Sequence, residues 1–489
     1  MVLVLPKKVS RRSMLTAAGA YALWSSVGSS GRMWGQEQGS IIGQLSEYMS
    51  RAADRPLPAE VQEQVKNHVL DTFAAMISGS KLPPGVAATK FLGTLDGGGS
   101  ATVVASRRLA GPMEAALVNG ILAHSDESDD SNAPSQSHPG CSIVPASLAS
   151  GEYFDISGMH FLRAVGLGYD VGPRMTIALG GAKYQDDSHR STHSIAGTFG
   201  SAAAAACAAG LSAQQMRWVL DLASQEAGGI AAWQRDTQHI EKAFVFAGMP
   251  ARNGVTAAMM VKSGIAGVED ILSGTDNFFL AFAPNARSRD LVDGLGVRYE
   301  VARTNIKKWT VGSPIQATLD ALEILIKREH IDTQRVQKVV VRVATREASV
   351  VDNREIPDIC LQHMAAVMLV DRTVSFASAH DANRMRDPKV LEQRKKINLV
   401  ADAELQKRMP RREAFVEITF TDGTQVSEHV EAVRGTAENP MSRDEVVAKA
   451  SDLMGPVVGG ANAARLVKAV FGLETEKSIR HLRPLLQGA

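Results

Sequence analysis

The hydrophobic period of this chain changes once along its length, and that change divides it. Val61, Val65, Val69, Phe73 and Met76 recur at helical spacing, with Gly79 as a stop. Pro112 opens a second helix that runs through Val118 towards Ala123, and Ser142 to Phe154 reads as a third. Ser157 is placed to cap a helix from Met159 to Val171. Residues 198–210 are nearly all alanine and glycine and therefore predict a buried helix. Ser212 and Gln215 have capping-box spacing ahead of Leu220 and Leu222, and Ala251 to Val261 ends at Gly264. Residues 40–290 thus read as helix after helix with short breaks.

Beyond residue 295 the period shortens to two. Val339, Val341 and Val343 alternate with other residues, as do Val416, Ile418 and Phe420. The second run leads into Asp422-Gly423 and then Val426 and Val430, a strong hairpin signal. Helical patterns at 312–328 and 358–370 lie between the strands, so residues 295–435 predict a separate α+β domain. From Ser442 the chain reads as helical again through Leu453 and Leu466, and residues 440–489 are expected to pack back on the first domain. The expected fold class is mainly α: a large all-helical domain built from the N-terminal bulk plus the C-terminal tail, with a smaller α+β lid inserted.

Composition excludes several classes of partner. The 489 residues are 45% hydrophobic and 21% charged, with a net charge of +1, which gives no electrostatic case for nucleic acid or an anionic membrane. Three cysteines, Cys141, Cys207 and Cys360, form no CxxC pair and argue against a disulfide framework or a thiolate zinc site. Residues 1–36 differ from the rest. Lys7, Lys8, Arg11 and Arg12 precede a short apolar run from Met14 to Val27, and Ser10-Arg11-Arg12-Ser13-Met14-Leu15 looks like a twin-arginine export signal. On that reading the protein is periplasmic or otherwise exported, and cytoplasmic if the signal is unused. No later segment is long and apolar enough to span a membrane.

Residues 119–140 are dense in chemistry. Asn119-Gly120 leads to His124, then to the acidic run Asp126-Glu127-Ser128-Asp129-Asp130-Ser131, and then to His138-Pro139-Gly140. Val144-Pro145-Ala146, Gly168-Tyr169-Asp170 with Arg174, Gly197-Thr198-Phe199-Gly200, Lys242 ahead of Gly248, Ala251-Arg252-Asn253-Gly254, Ile306-Lys307-Lys308-Trp309 and Asp422-Gly423 follow in order. Together they resemble the MmgE/PrpD (2-methylcitrate dehydratase-like) family across most of residues 40–480. The resemblance implies a helical domain with an α+β lid, usually as a homodimer. It also implies dehydration, decarboxylation or epimerisation of a small hydroxy- or unsaturated di- or tricarboxylic acid, with no metal or organic cofactor.

Such reactions break a bond beside a carboxylate, so a site needs cations for the substrate and an acid and a base for its proton. By family correspondence His138 is the acid or base, and Lys242 and Lys307 hold a carboxylate or donate a proton. The acidic turn departs from the family pattern. Glu127 stands where the first aspartate is usual, with Asp126 just before it, and Ser131 stands for the usual threonine. Asp126, Glu127, Asp129 and Asp130 could equally cap helix ends. Ser191 occupies the position of a second family histidine. His189 and His193 flank it, and His193 is favoured to take over the role. The Gly312-Ser313 amides could bind a carboxylate or simply begin a helix at Pro314. His363, His380 and Asp381 fall in the α+β segment, where a histidine on an apolar helical face is more often a satisfied core residue.

Dehydration is the first expectation, ahead of decarboxylation and epimerisation. A metal-dependent hydrolase or lyase is a second hypothesis, since His124, Asp126, Asp129, Asp130 and His138 are ligand types, but their spacing matches no metal motif. A non-catalytic organic-acid-binding protein is a third. No Gly-rich phosphate loop stands in a strand–helix setting, which argues against nucleotide.

Overall fold

The computed structural model describes residues 39–95 and 97–487; the segment read as an export signal lies outside them. The first principal helices, numbered as introduced, are α1 (Ile41–Ser50), α2 (Ala59–Gly79), α3 (Pro112–Ala123), α4 (Gly140–Phe154), α5 (Gly158–Leu179), α6 (Thr192–Ala208), α7 (Ala213–Glu226) and α8 (Met249–Lys262). The expected caps are in place. Ser157 accepts from the His160 amide, and Ser212 with Gln215 makes a reciprocal capping box.

The centre of this body is α6, every residue of which is buried. Small residues let its neighbours approach backbone to backbone. A Cβ on Gly172 of α5 would collide with the Ala196 carbonyl, and one on Gly254 of α8 would collide with the Ala202 amide. Gly120 does the same for α3, because a Cβ there would lie 2.8 Å from the Ala247 carbonyl. That close approach brings the residues around 247 against the end of α3, where His124 sits.

The second unit follows with α9 (Gln316–Glu329), β3 (Val336–Ala344), α10 (Leu361–Asp371), α11 (Phe376–His380), β4 (Ile397–Asp402), β5 (Ala414–Phe420) and β6 (Gln425–Val430); β1 (Ala101–Thr102) and β2 (Leu109–Ala110) form a small hairpin in the body. The sheet order is β4-β3-β5-β6, with β3 parallel to β4 and antiparallel to β5. The Asp422-Gly423 turn joins β5 to β6, with Gly423 at φ 83°. The chain ends in α12 (Arg443–Val458) and α13 (Gly460–Phe471). Two hydrophobic cores result. One gathers Ile42 to Ile306 together with Val446 to Leu486, so the C-terminal helices return to the body; the other gathers Trp309 to Val433. All three cysteines are free and buried. Among the described residues no helix is long and apolar enough to cross a membrane.

Candidate active site

The acidic turn after α3 is buried throughout, although its residues are charged. Burying carboxylates without partners is costly, so where their charges are met indicates what the turn is for. Asp129 accepts from two imidazoles, His124 Nδ1 at 2.9 Å and His138 Nδ1 at 3.1 Å. Burial opposes its charge, but His124, His138 and Lys307 outweigh that and hold the carboxyl well below its ordinary range. An ionised carboxylate only accepts, so both Nδ1 atoms carry the proton. His138 is pushed down to about 4, chiefly by burial and against the pull of Asp129. It is therefore neutral at pH 7, with a bare lone pair on Nε2.

Glu127 is met by ammonium groups. Lys242 Nζ makes a short contact with Oε1, and Lys307 Nζ lies 3.6 Å from Oε2 while donating to the Glu127 carbonyl at 2.7 Å. Burial again opposes the charge, and Lys242, Lys307 and His239 overcome it, leaving the carboxyl well below its usual value. Lys307 is only 3% exposed, so its charge is buried with the turn it meets. Lys242 lies in a short helix (Ile240–Ala243) that runs into a π-helical turn, Phe244–Gly248. That turn sets Phe246 at the centre of the cluster, stacked on His193 at 3.6 Å and on His124 at 4.7 Å between ring centroids.

Several buried polar atoms here have no partner. His193 presents both ring nitrogens unpaired, and His124 Nε2, His239 Nε2 and Trp233 Nε1 are likewise unpaired. His193 lies 5.3 Å from His138, and Trp233 and Phe246 wall it edge-to-face and face-to-face. Burial, and then His138, drives the His193 pKa well below its ordinary value. Unsatisfied buried donors and acceptors are rare, and concentrated around one aromatic ring they mark where a ligand's polar atoms would go.

The structure thus brings together His138, His193, Lys242, Lys307 and Glu127. Asp126 adjoins them: its Oδ1 accepts from the Ser128 amide and hydroxyl, while its Oδ2 lies at ion-pair distance, 3.0 Å, from His380 of the second unit without an aligned hydrogen bond. Four candidate binding residues fall to other roles. Asp130 is saturated by His68 Nδ1 at 2.7 Å, the Tyr169 hydroxyl and the Gly140 amide at 2.9 Å. Ser191 caps α6 by accepting from the Ser194 amide, which positions His193 in the first turn instead. His189 is exposed in a left-handed helix-terminating turn. The Gly312 amide already donates to the Asp358 carbonyl at 2.9 Å, so it is not free for a carboxylate.

Ser131 and Ser313 instead line a cavity of about 400 Å³ between the two units, and the wall shares Lys307 with the cluster. Arg303, Arg411 and Arg434 also face it, Arg303 paired with Glu300 and Arg434 with Glu445. Sequence reasoning missed four contributors: Asp129 as the residue orienting two imidazoles, His124, His239 and Phe246. Two of them carried a signal: His124 closes the Asn119-Gly120…His124 pattern, whose glycine admits the π-turn, and Asp129 lies in the acidic run.

One group of metal-ligand types lies close enough to share an ion among the described residues: His124, Asp129 and Cys141, within 4.8 Å of one another. Most of its atoms are committed to protein contacts, His124 Nε2 being the exception. His124 donates to Asp129, and the thiol donates to the His138 carbonyl at 3.1 Å, with burial pushing its pKa well above the ordinary value.

A helical body and an α+β unit that together bury carboxylates, imidazoles and ammoniums define the class of fold, and comparison with known proteins gives the family. The chain belongs to the MmgE/PrpD family: residues 43–289 match the MmgE/PrpD N-terminal domain and residues 309–473 the MmgE/PrpD C-terminal domain. It is 24% identical over 484 residues to a cis-aconitate decarboxylase-like protein of Aspergillus oryzae, covering 92% of this chain and 98% of that one. It is 25% identical over 456 residues to the cis-aconitate decarboxylase of Homo sapiens, covering 88% and 91%. The mouse cis-aconitate decarboxylase is 26% identical over 400 residues, covering 77% and 79%. Family and relatives together indicate an enzyme.

Proposed function

We propose that this protein is a lyase that moves a proton beside a carboxylate of a small unsaturated or hydroxy di- or tricarboxylic acid. The observation that carries the reading is His138: a neutral imidazole whose Nδ1 is fixed by Asp129 and whose Nε2 is bare, set among unpaired polar atoms and two ammonium groups. The ammoniums offset charge that develops when a bond beside the carboxylate breaks, and Lys242 is placed to return a proton. Lys307 and Arg411 on the wall of the adjoining cavity suit a substrate with more than one carboxylate.

Decarboxylation is the first reaction to assay, since the similar relatives are named for it. In it a carbon–carbon bond breaks, CO₂ leaves, and the electron pair on carbon takes a proton from a lysine. Dehydration is the second reading, favoured by the bare Nε2: His138 abstracts the proton beside the carboxylate and an ammonium protonates the departing hydroxide. The test is a panel of di- and tricarboxylates scored for CO₂ release and for loss or gain of water, with native protein and His138→Ala side by side. Loss of a general base predicts a fall of about 10²–10⁴-fold for the variant. Equal turnover by the two proteins would refute the role of His138, and no turnover or deuterium exchange with any acid would refute the lyase.

A further inference from the structure

His380 lies outside the residues assigned above, and its surroundings are unusual for a packing histidine. It ends α11, a short helix of the lid held against the body at both ends. At the start of α11 the Phe376 amide donates to Asp452 of α12 at 2.9 Å, and the Phe376 ring packs on the body's core. At its end His380 Nε2 lies 3.0 Å from Asp126 of the acidic turn and 3.8 Å from Asp358 of the lid.

The ring's protonation follows from what each nitrogen faces. Nδ1 is 2.8 Å from the Phe376 carbonyl, which only accepts, so Nδ1 carries a proton. Nε2 faces two carboxylates, and a lone pair there would be repelled. Both nitrogens are therefore protonated and the ring is a cation. The groups around it are Asp126 and Asp358, the Phe376 ring on its own helix and, beyond Asp358, Glu127 and Lys242. Burial lowers its pKa, but Asp126 and Asp358 more than offset this and raise it to about 9. Burial pushes Asp358 up to about 6 against the opposing pull of His380.

We infer that His380 is a positioning residue for this site: an imidazolium carried by the lid that ties the acidic turn to Asp358 and so fixes Glu127, one peptide bond beyond Asp126. This rests on the reading of Glu127 and its lysines as reaction machinery. Without the cation, two buried carboxylates face each other unshielded. One must then take up a proton or move away, and the charge opposite Lys242 shifts with it.

Two substitutions separate charge from volume. His380→Gln keeps the bulk and loses the charge; His380→Lys keeps the charge. The glutamine variant is expected to lose about tenfold or more in kcat with little change in KM, and the lysine variant to recover most of that loss. Combined with Asp126→Asn, the glutamine substitution should cost little more, because the two residues act as one unit. Independently of any substrate, the His380 ring signals of the unsubstituted protein should titrate near pH 9, and fall towards the ordinary value of about 6.5 in Asp126→Asn. Titration near the ordinary value in the native protein, or an unchanged kcat and pH profile in His380→Gln, overturns the proposal. If the native protein turns over no acid at all, the lyase reading fails, and the titration alone decides whether the tie exists.

Discussion

Asp129 and Asp130 adjoin in the chain, both are buried, and each accepts from a histidine Nδ1, yet they serve different networks. Asp130 is closed off. His68, Tyr169 and the Gly140 amide fill its oxygens, and those donors come from α2, α5 and the start of α4, so the carboxylate pins three helices to the turn. Asp129 is open in the chemical sense. Its two imidazoles pack against the rings of His193, Phe246 and His239, where polar atoms lack partners. His68 also keeps an unpaired Nε2, so the difference lies in the surroundings: it packs on Tyr169, whereas the unpaired nitrogens beside Asp129 gather around Phe246 next to the ammoniums of Lys242 and Lys307.

The comparison breaks most sharply under an amide substitution at each position. Asp129→Asn replaces one accepting oxygen by an NH₂ group, so one imidazole must present a bare Nδ1 and move its proton to Nε2. Loss of the oriented base should cost about 10²–10⁴-fold in kcat while unfolding transitions shift little. Asp130→Asn should show the reverse: a stability loss of about 1–3 kcal/mol by denaturant titration, from a buried donor left unpaired, with activity per folded molecule nearly retained. Equal effects of the two substitutions on activity would erase the distinction.

A pH profile sharpens it. His138 is held at about 4, below its unfolded value of ~6.5. The folded protein then binds fewer protons than the unfolded chain between those values. This residue's stabilising contribution is present above ~6.5 and is lost as pH falls through the window. His380, raised to about 9, has the opposite sign: its contribution is present below ~6.5 and is lost as pH rises through the folded value. Activity should therefore fall below about 4 as His138 takes up a proton and above about 9 as His380 loses one, with Asp358 titrating between them at about 6; an acidic limb near 6.5 that persists in Asp358→Asn would show that His138 is not desolvated. The smallest effect is expected from His189→Ala, since that side chain is exposed: turnover should match the native protein within assay error, and a clear loss would reinstate it as a site residue.

Much of the fold was legible because its signals are local. The caps at Ser157, Ser212 and Ser442, the alanine run of α6 and the Asp422-Gly423 hairpin depend on residues a few positions apart. The strand β4 was not legible. It is an edge strand with Asn398 and Val400 exposed, so burial does not alternate along it, and only its parallel pairing with β3 defines it. The site divides in the same way. Motif correspondence reached His138, Lys242 and Lys307, whereas the roles of Asp129, His239, Phe246 and His380 arise from contacts between segments far apart in the chain. Nothing in the runs around Phe246 announces a π-turn, and the spacing from Asp126 to His380 carries no period.

The most direct measurement is the ¹⁵N chemical shifts of the His138 ring in native protein at neutral pH, assigned by comparison with His138→Gln. A protonated Nδ1 and an unprotonated Nε2 are expected, with the pattern lost in Asp129→Asn. An imidazolium, or a ring carrying its only proton on Nε2, would mean that Asp129 does not hold His138 as a base.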